Sequence, residues 1–351
     1  MIDDLSRVPN HLTIHRPNDL NMPSILETSV MQMMQKGKGL LAADESNRSV
    51  PKRLDPIGVE STPENRRRFR ELYLSAPGAE EYLSGVILYD ETLRQADSDG
   101  TPFAKVLSDR GIVPGIKVDA GAKDIAAFPG ETLTEGLDGL ADRLTEYYDL
   151  GARFAKWRAV IHIGKELPTQ EMIDANSLQL ALYALRCQEA NIVPMVEPEV
   201  VLKGKHTIEK AEDITTATLT SLIEHLQKYR VDLKTTVVKT SMVVPGSASG
   251  QPMNPEQVAE ATARCLRATI PDEAGGVVFL SGGQSSEEAT MNLNAIAKLG
   301  PYPWNVTFTF ARALQYPAIE IWAGKDENIK KAREAFMERL KANAAASIGA
   351  L

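Results

Sequence analysis

Short apolar runs alternate with longer amphipathic stretches along most of the chain. The runs are LLAADES (40–46), GVILYDE (85–91), VPGIKVD (113–119), ARFAKWRAVI (152–161), VPMVEPEVV (193–201), TTVVKTSMVV (235–244), GGVVFLSGG (275–283) and NVTFTFARAL (305–314). Each is bounded by Gly, Pro or polar residues and most are rich in β-branched side chains, which predicts strands. Between them the polar and apolar positions follow helical spacing. ENRRRFRELYL begins at 64, and LADRLTEYYDLG ends on a Gly suited to a C-cap. SLQLALYALRCQEA, IEKAEDITTATLTSLIEHLQKYR, PEQVAEATARCLRA and SEEATMNLNAIAKLG follow, and ENIKKAREAFMERLKANAAA closes the series. FAKVLSDRG fills the interval between the second and third runs.

Strand–helix alternation implies a parallel sheet. Eight such units in 351 residues point to a closed (β/α)8 barrel, the TIM-barrel form of the α/β class. A doubly wound open sheet is the competing reading. It would carry G-x-G-x-x-G after a first strand or a G-x-x-x-x-G-K-[ST] phosphate loop, and neither occurs. No linker divides the chain, so a single domain is expected over 1–351. Its core spans about 36–325 behind an N-terminal arm, and 326–351 supply a C-terminal helix and flexible tail.

Hydrophobic residues make up 43% of the chain and charged residues 25%, enough for a large soluble core. The net charge of −8 argues against a nucleic-acid binder, which needs a basic face. An anionic small substrate stays open, because a local cluster of cations can sit inside an acidic protein. Cys187 and Cys265 both fall in helical stretches and read as buried thiols rather than a disulfide framework. MIDDLSRVPN has no signal-peptide pattern, and no run of about 18 apolar residues is present, so no membrane partner and a cytoplasmic location are expected.

The informative residues are ions inside apolar runs. Asp44 lies in LLAADES, Lys117 in GIKVD, Lys156 and Arg158 in FAKWRAV, Glu197 and Glu199 in MVEPEVV, and Lys239 in VVKTSM. The two i, i+2 pairs each point to one face of a strand. Burying an unpaired ion costs several kcal/mol, so charges on five strands suggest one polar pocket at the C-terminal mouth of the barrel. Structural ion pairs are the plainer alternative for any one of them.

The seventh run ends in Ser281-Gly282-Gly283, and the eighth carries Arg312 two residues after Phe310. Phosphate sites in such barrels commonly use the loops after strands seven and eight, where bare glycine backbone approaches the oxygens and an Arg adds a two-pronged contact. Lys52 and Arg53 form a second basic set, which reads equally as a solvated helix start. An amine attacks a carbonyl only when neutral, and a free Lys with a pKa of about 10.4 is charged at neutral pH. Depressing it by about three units requires roughly 4 kcal/mol of desolvation or neighbouring positive charge. Lys239, flanked by Val237-Val238 and Met242-Val243-Val244, and Lys156, beside Trp157 and Arg158, both fit; Lys239 has the more apolar surroundings.

LAADES, GIKVD, FAKWR, VEPE, the VVK strand, FLSGGQS and FARALQ, in this order from about Lys36 to Trp322, resemble the class I fructose-1,6-bisphosphate aldolases. The resemblance implies a metal-free and cofactor-free enzyme that cleaves a phosphorylated ketose through a Schiff base on Lys239. Glu197 would be the main proton shuttle in carbinolamine formation and dehydration. Asp44 would assist cleavage between the third and fourth carbons. Lys156 would keep Lys239 neutral and contact substrate, with Glu199 supporting the charge cluster. Arg158 and Lys117 would lie beside the substrate chain. Ser281, Gly282, Gly283 and Arg312, with Arg53 nearby, would bind the ketose-end phosphate, and Ser46 and Ser49 would lie towards the other. It also implies a homotetramer.

Three positions depart from the vertebrate pattern of the family. Asn47-Arg48 replaces Thr-Gly after AADES, Ala311 replaces the Gly before Arg312, and the C-terminal Tyr that assists proton exchange on the ketose intermediate is missing, the last Tyr being Tyr316. Slower exchange at that step, or a substitute group, is expected. A zinc aldolase would need about three His ligands. The five histidines are His11, His15, His162, His206 and His225, and only His11 and His15 have helical i, i+4 spacing. A transaldolase-like Schiff-base barrel would keep a strand lysine without needing two phosphate sites. A barrel retained as a scaffold would have lost Lys239 or Glu197, and both are present.

Overall fold

The computed structural model describes residues 23–351. The N-terminal arm, with His11 and His15, lies outside the described residues. The strands are β1 (Gly39–Ala43), β2 (Leu83–Leu88), β3 (Val113–Lys117), β4 (Gly121–Ile125), β5 (Phe128–Glu135), β6 (Phe154–Ile161), β7 (Val193–Val200), β8 (Val237–Thr240), β9 (Gly276–Phe279) and β10 (Val306–Phe310). The helices are α1 (Ile25–Met33), α2 (Pro51–Leu54), α3 (Pro63–Leu74), α4 (Asp90–Leu93), α5 (Phe103–Ser108), α6 (Leu140–Asp149), α7 (Gln170–Glu189), α8 (Ile208–Lys228), α9 (Pro255–Thr269), α10 (Ser286–Lys298), α11 (Arg312–Trp322) and α12 (Ile329–Ala346).

Eight parallel strands close in the order β1-β10-β9-β8-β7-β6-β3-β2. The eight apolar runs map onto them one for one. Their apolar character has the expected cause, since a strand covered on both faces buries nearly every side chain, and all eight positions of β7 are buried. Four consecutive helices start on polar caps: Thr169, Thr207, Asn254 and Ser285 accept N–H groups of the first turns of α7, α8, α9 and α10. The antiparallel hairpin β4–β5 was not foreseen. GAKDIAAFPGETLTE is mostly exposed, so no apolar run marks it.

Two apolar clusters hold the barrel. One fills the inner end opposite the mouth, where Val30, Met33 and Met34 of the first helical segment pack on Leu40, Phe154, Met195, Val237 and Val278. The larger lies between strands and helices, and there Trp157 meets Tyr183 at 5.5 Å between ring centroids. The small-residue stretch at the C-terminal side begins within the last helix. α12 runs to Ala346, and Leu351 then donates its N–H to Asn294 Oδ1 at 3.1 Å while Lys298 Nζ donates to the Leu351 carbonyl at 2.7 Å. The chain end therefore lies beside the last turn of α10, on the face of the barrel away from the mouth.

Candidate active site

The ionisable residues of the apolar runs meet because parallel strands put equivalent positions side by side. Lys117 is in register with Lys156, and Arg158 with Glu197. Adjacent lysines repel, and each is drawn to a different carboxylate. Lys117 Nζ lies 2.7 Å from Asp119 Oδ1. Lys156 Nζ lies 2.6 Å from Asp44 Oδ2 and 3.2 Å from Glu197 Oε2. The other oxygen of Glu197 lies 3.0 Å from Lys239 Nζ. Glu197 thus bridges two ammonium groups, while Glu199 pairs with Arg158. Lys156, Glu197 and Lys239 are each 3% exposed, so the bridge works in a low dielectric where these attractions are strong.

Burial by itself pushes the Asp44 carboxyl up, but Lys156 and Lys239 outweigh it and hold the group below its ordinary value. Glu197 is lowered in the same way, with Lys156, Lys239 and Arg158 overcoming burial. Burial pulls the Lys156 ammonium down, but Asp44, Glu197 and Asp119 overcome it and hold the group well above the ordinary lysine value. Lys156 is therefore a fixed cation, and Asp44 and Glu197 are carboxylates, around neutral pH.

These groups line a cavity of about 280 Å³ together with Glu45, Ser46, Ser49, Arg53, Thr309, Ser281, Gly282 and Arg312. Six cations face four carboxylates in its wall, an excess of two positive charges inside a chain of net charge −8. Gly282 and Gly283 turn the loop after β9 through φ of +57° and +103°, backbone that favours glycine. A Cβ placed on Gly283 would lie 3.6 Å from Arg312 Nη2, so this glycine borders the cavity through Arg312. Ser46 and Ser49 share a hydrogen bond of 3.0 Å between their Oγ atoms. Arg53 Nε lies 3.3 Å from Glu45 Oε1, and its guanidinium stands 5.7 Å from the ring of Tyr316.

Of the site residues singled out in the sequence, all line this cavity except Gly283, which borders it through Arg312, and Lys52. Glu45 and Thr309 also line the cavity and Asp119 holds Lys117, although the sequence pattern does not single out Glu45 or Thr309. Asp119 stands two residues after Lys117 in GIKVD, the same i, i+2 signal used elsewhere, and accepts the backbone N–H groups of Gly121 and Arg158 at 3.2 and 3.3 Å. The buried Arg70 of α3 lies 2.6 Å from Glu45 Oε2 and holds that carboxylate. Of the departing positions, Ala311 has φ −102°, which any residue adopts, and lines the cavity. Asn47 ties its loop to α4 by donating to Glu91 Oε1 at 3.3 Å. Cys187 and Cys265 are buried free thiols. Among the described residues no group of three or more His, Cys, Asp or Glu is placed to hold a metal, and no helix is long and apolar enough to cross a membrane.

Fold and site together define a (β/α)8-barrel enzyme with an amine–carboxylate centre and a cationic, glycine-edged pocket. The family model described as fructose-bisphosphate aldolase class-I matches residues 25–351. The chain is 48% identical over 332 residues to a probable fructose-bisphosphate aldolase class 1 of Xanthomonas campestris pv. campestris, covering 94% of this chain and 99% of the relative. It is 51% identical over 315 residues to fructose-bisphosphate aldolase 6, cytosolic, of Arabidopsis thaliana, covering 90% and 88%. A solved structure of fructose-bisphosphate aldolase from Plasmodium falciparum, in complex with TRAP and a small-molecule inhibitor, superposes with a TM-score of 0.91 at 44% identity, covering 93% and 94% of the two chains. The chain belongs to the class I fructose-bisphosphate aldolase family. It is a carbon–carbon lyase that acts on a phosphorylated sugar, in a family whose typical role is glycolytic.

Proposed function

We propose that Lys239 is the nucleophile that forms the Schiff base in the reversible cleavage of fructose 1,6-bisphosphate to dihydroxyacetone phosphate and glyceraldehyde 3-phosphate. The observation that carries the assignment is the bridged arrangement Lys239–Glu197–Lys156, at 3.0 and 3.2 Å. A carboxylate at hydrogen-bond distance from the amine can take the proton that the amine must lose before attack. Returned to the carbinolamine hydroxyl, the proton lets water leave and a protonated imine form. Lys156 has two carboxylate partners of its own, which suits it to remain a cation beside the reacting carbonyl rather than to attack it.

The protonated imine is an electron sink. When the bond between the third and fourth carbons breaks, its electron pair flows into the imine as an enamine, and the hydroxyl proton on the fourth carbon passes to a carboxylate. Asp44, 2.6 Å from Lys156 Nζ and lining the same cavity, suits that role. Glyceraldehyde 3-phosphate leaves, the enamine takes a proton on carbon, and water releases dihydroxyacetone phosphate from Lys239. Ser281, Gly282, Gly283 and Arg312 bind the ketose-end phosphate with Arg53 nearby. Ser46 and Ser49 lie towards the other phosphate, Lys117 and Arg158 flank the chain between, and Glu199 steadies Arg158. The excess of two positive charges in the wall favours an anionic substrate.

The test is borohydride trapping with dihydroxyacetone phosphate, followed by peptide mass spectrometry, with and without EDTA. A reduced adduct on Lys239 that EDTA leaves untouched supports the assignment; an adduct on Lys156, or activity lost to EDTA with no adduct, overturns it. By family expectation the enzyme works in the cytoplasm as a homotetramer, which light scattering of the purified protein checks.

A further inference from the structure

A buried amide relay lies behind the glycine-edged wall of the cavity. Asn292 of α10, 0% exposed, donates from Nδ2 to Gln284 Oε1 at 2.6 Å. Gln284, 8% exposed, donates from Nε2 to the carbonyl oxygen of Ser281 at 3.0 Å. The same oxygen accepts the backbone N–H of Gln284 at 2.9 Å. Gln284 Nε2 also lies 3.8 Å from Met242 Sδ, three residues beyond Lys239.

Across a planar trans peptide the carbonyl and the following N–H point in opposite directions. With the Ser281 carbonyl drawn towards Gln284, the Gly282 N–H faces the other way, towards the cavity that Ser281 and Gly282 line. Rotating this peptide would set a carbonyl dipole against any bound anion. Glycine in the left-handed region offers no steric barrier to such rotation, so the loop sequence does not secure the orientation. Two donors on one carbonyl oxygen do. A reversed Gln284 amide would set its Oε1 against the Ser281 carbonyl oxygen, so the acceptor on Ser281 fixes which end faces it.

We propose that Gln284 and Asn292 are positioning residues of the phosphate subsite, clamping the Ser281–Gly282 peptide so that the Gly282 N–H is presented to the ketose-end phosphate. This rests on the reading of Ser281–Gly283 and Arg312 as that subsite.

The experiment compares borohydride trapping of dihydroxyacetone phosphate with that of dihydroxyacetone, which lacks the phosphate. The readout is the ratio of their half-saturating concentrations. The double variant Gln284→Leu, Asn292→Leu removes donor and acceptor together and so leaves neither partner orphaned. Gln284→Met keeps the volume and is read alone if the double variant does not fold. The preference for the phosphorylated ketose is expected to fall about tenfold in either variant, as for the loss of one hydrogen bond to a charged group. A preference equal to that of the unaltered enzyme overturns the relay, and general loosening of the fold does not mimic the expected result, because it moves both probes together. An unaltered enzyme that shows no preference overturns the phosphate subsite itself, and the relay with it.

Discussion

Glu197 carries more of the site than any other side chain, since each of its oxygens faces a different ammonium group. Glu197→Gln keeps the shape and removes the proton acceptor. We expect kcat to fall about 10²–10⁴-fold, measured by coupled assay, with Lys239 still trapped at high ketose concentration. Asp44 gives a pH prediction. Its folded-state pKa lies below its ordinary value, so its contribution to stability is present above the unfolded-state value near about 3.9 and is lost as pH falls through the folded value. Urea midpoints measured downward from pH 5 should therefore fall less steeply in Asp44→Asn than in the unaltered protein. An equal slope would mean that Asp44 is not held by Lys156 in solution. Lys239 and Lys156 were both plausible nucleophiles in the sequence because both sit among apolar neighbours. What separates them is pairing, one carboxylate against two, and pairing depends on which strands are neighbours.

The strands were legible because burial on both faces leaves a continuous apolar run, and the helices because their caps and periodicity are strong. The hairpin β4–β5 was not, since exposed strands carry no such run. The barrel also depends on residues whose role is to be small. A Cβ on Gly115 of β3 would lie 2.2 Å from the Phe154 ring of β6, which fills the end of the barrel opposite the mouth. Gly115→Ala should lower unfolding free energy by about 1–3 kcal/mol or more, read as a shift of the urea midpoint. No change would show that Phe154 has room to turn.

The position of Leu351 decides whether a Tyr placed just after it could reach the site. Leu351 is tied to Asn294 and Lys298, at the end of α10 remote from the mouth. The 13 residues of α10 span about 20 Å at about 1.5 Å per residue. A Tyr appended directly after Leu351 should therefore leave the rate of proton exchange on dihydroxyacetone phosphate unchanged. One carried on a flexible linker of about ten residues can reach the mouth, at about 3.3 Å per residue. An increase with the short extension would show that the clamp opens in solution.

Period and composition along the chain carry local information, and from them follow the alternating elements, the eight strands and the ions placed within them. The site's membership was legible for the same reason: a charge inside an apolar strand is a cost that local sequence displays, whether at Lys156, Glu197 or Lys239. Partnership was not, because it joins residues far apart in the chain. That Glu197 bridges two lysines and that Arg70 holds Glu45 each depend on the closing of the barrel and the seating of a helix behind it. Such contacts are distances between side chains on separate elements, and a one-dimensional pattern contains no record of them until the chain has folded.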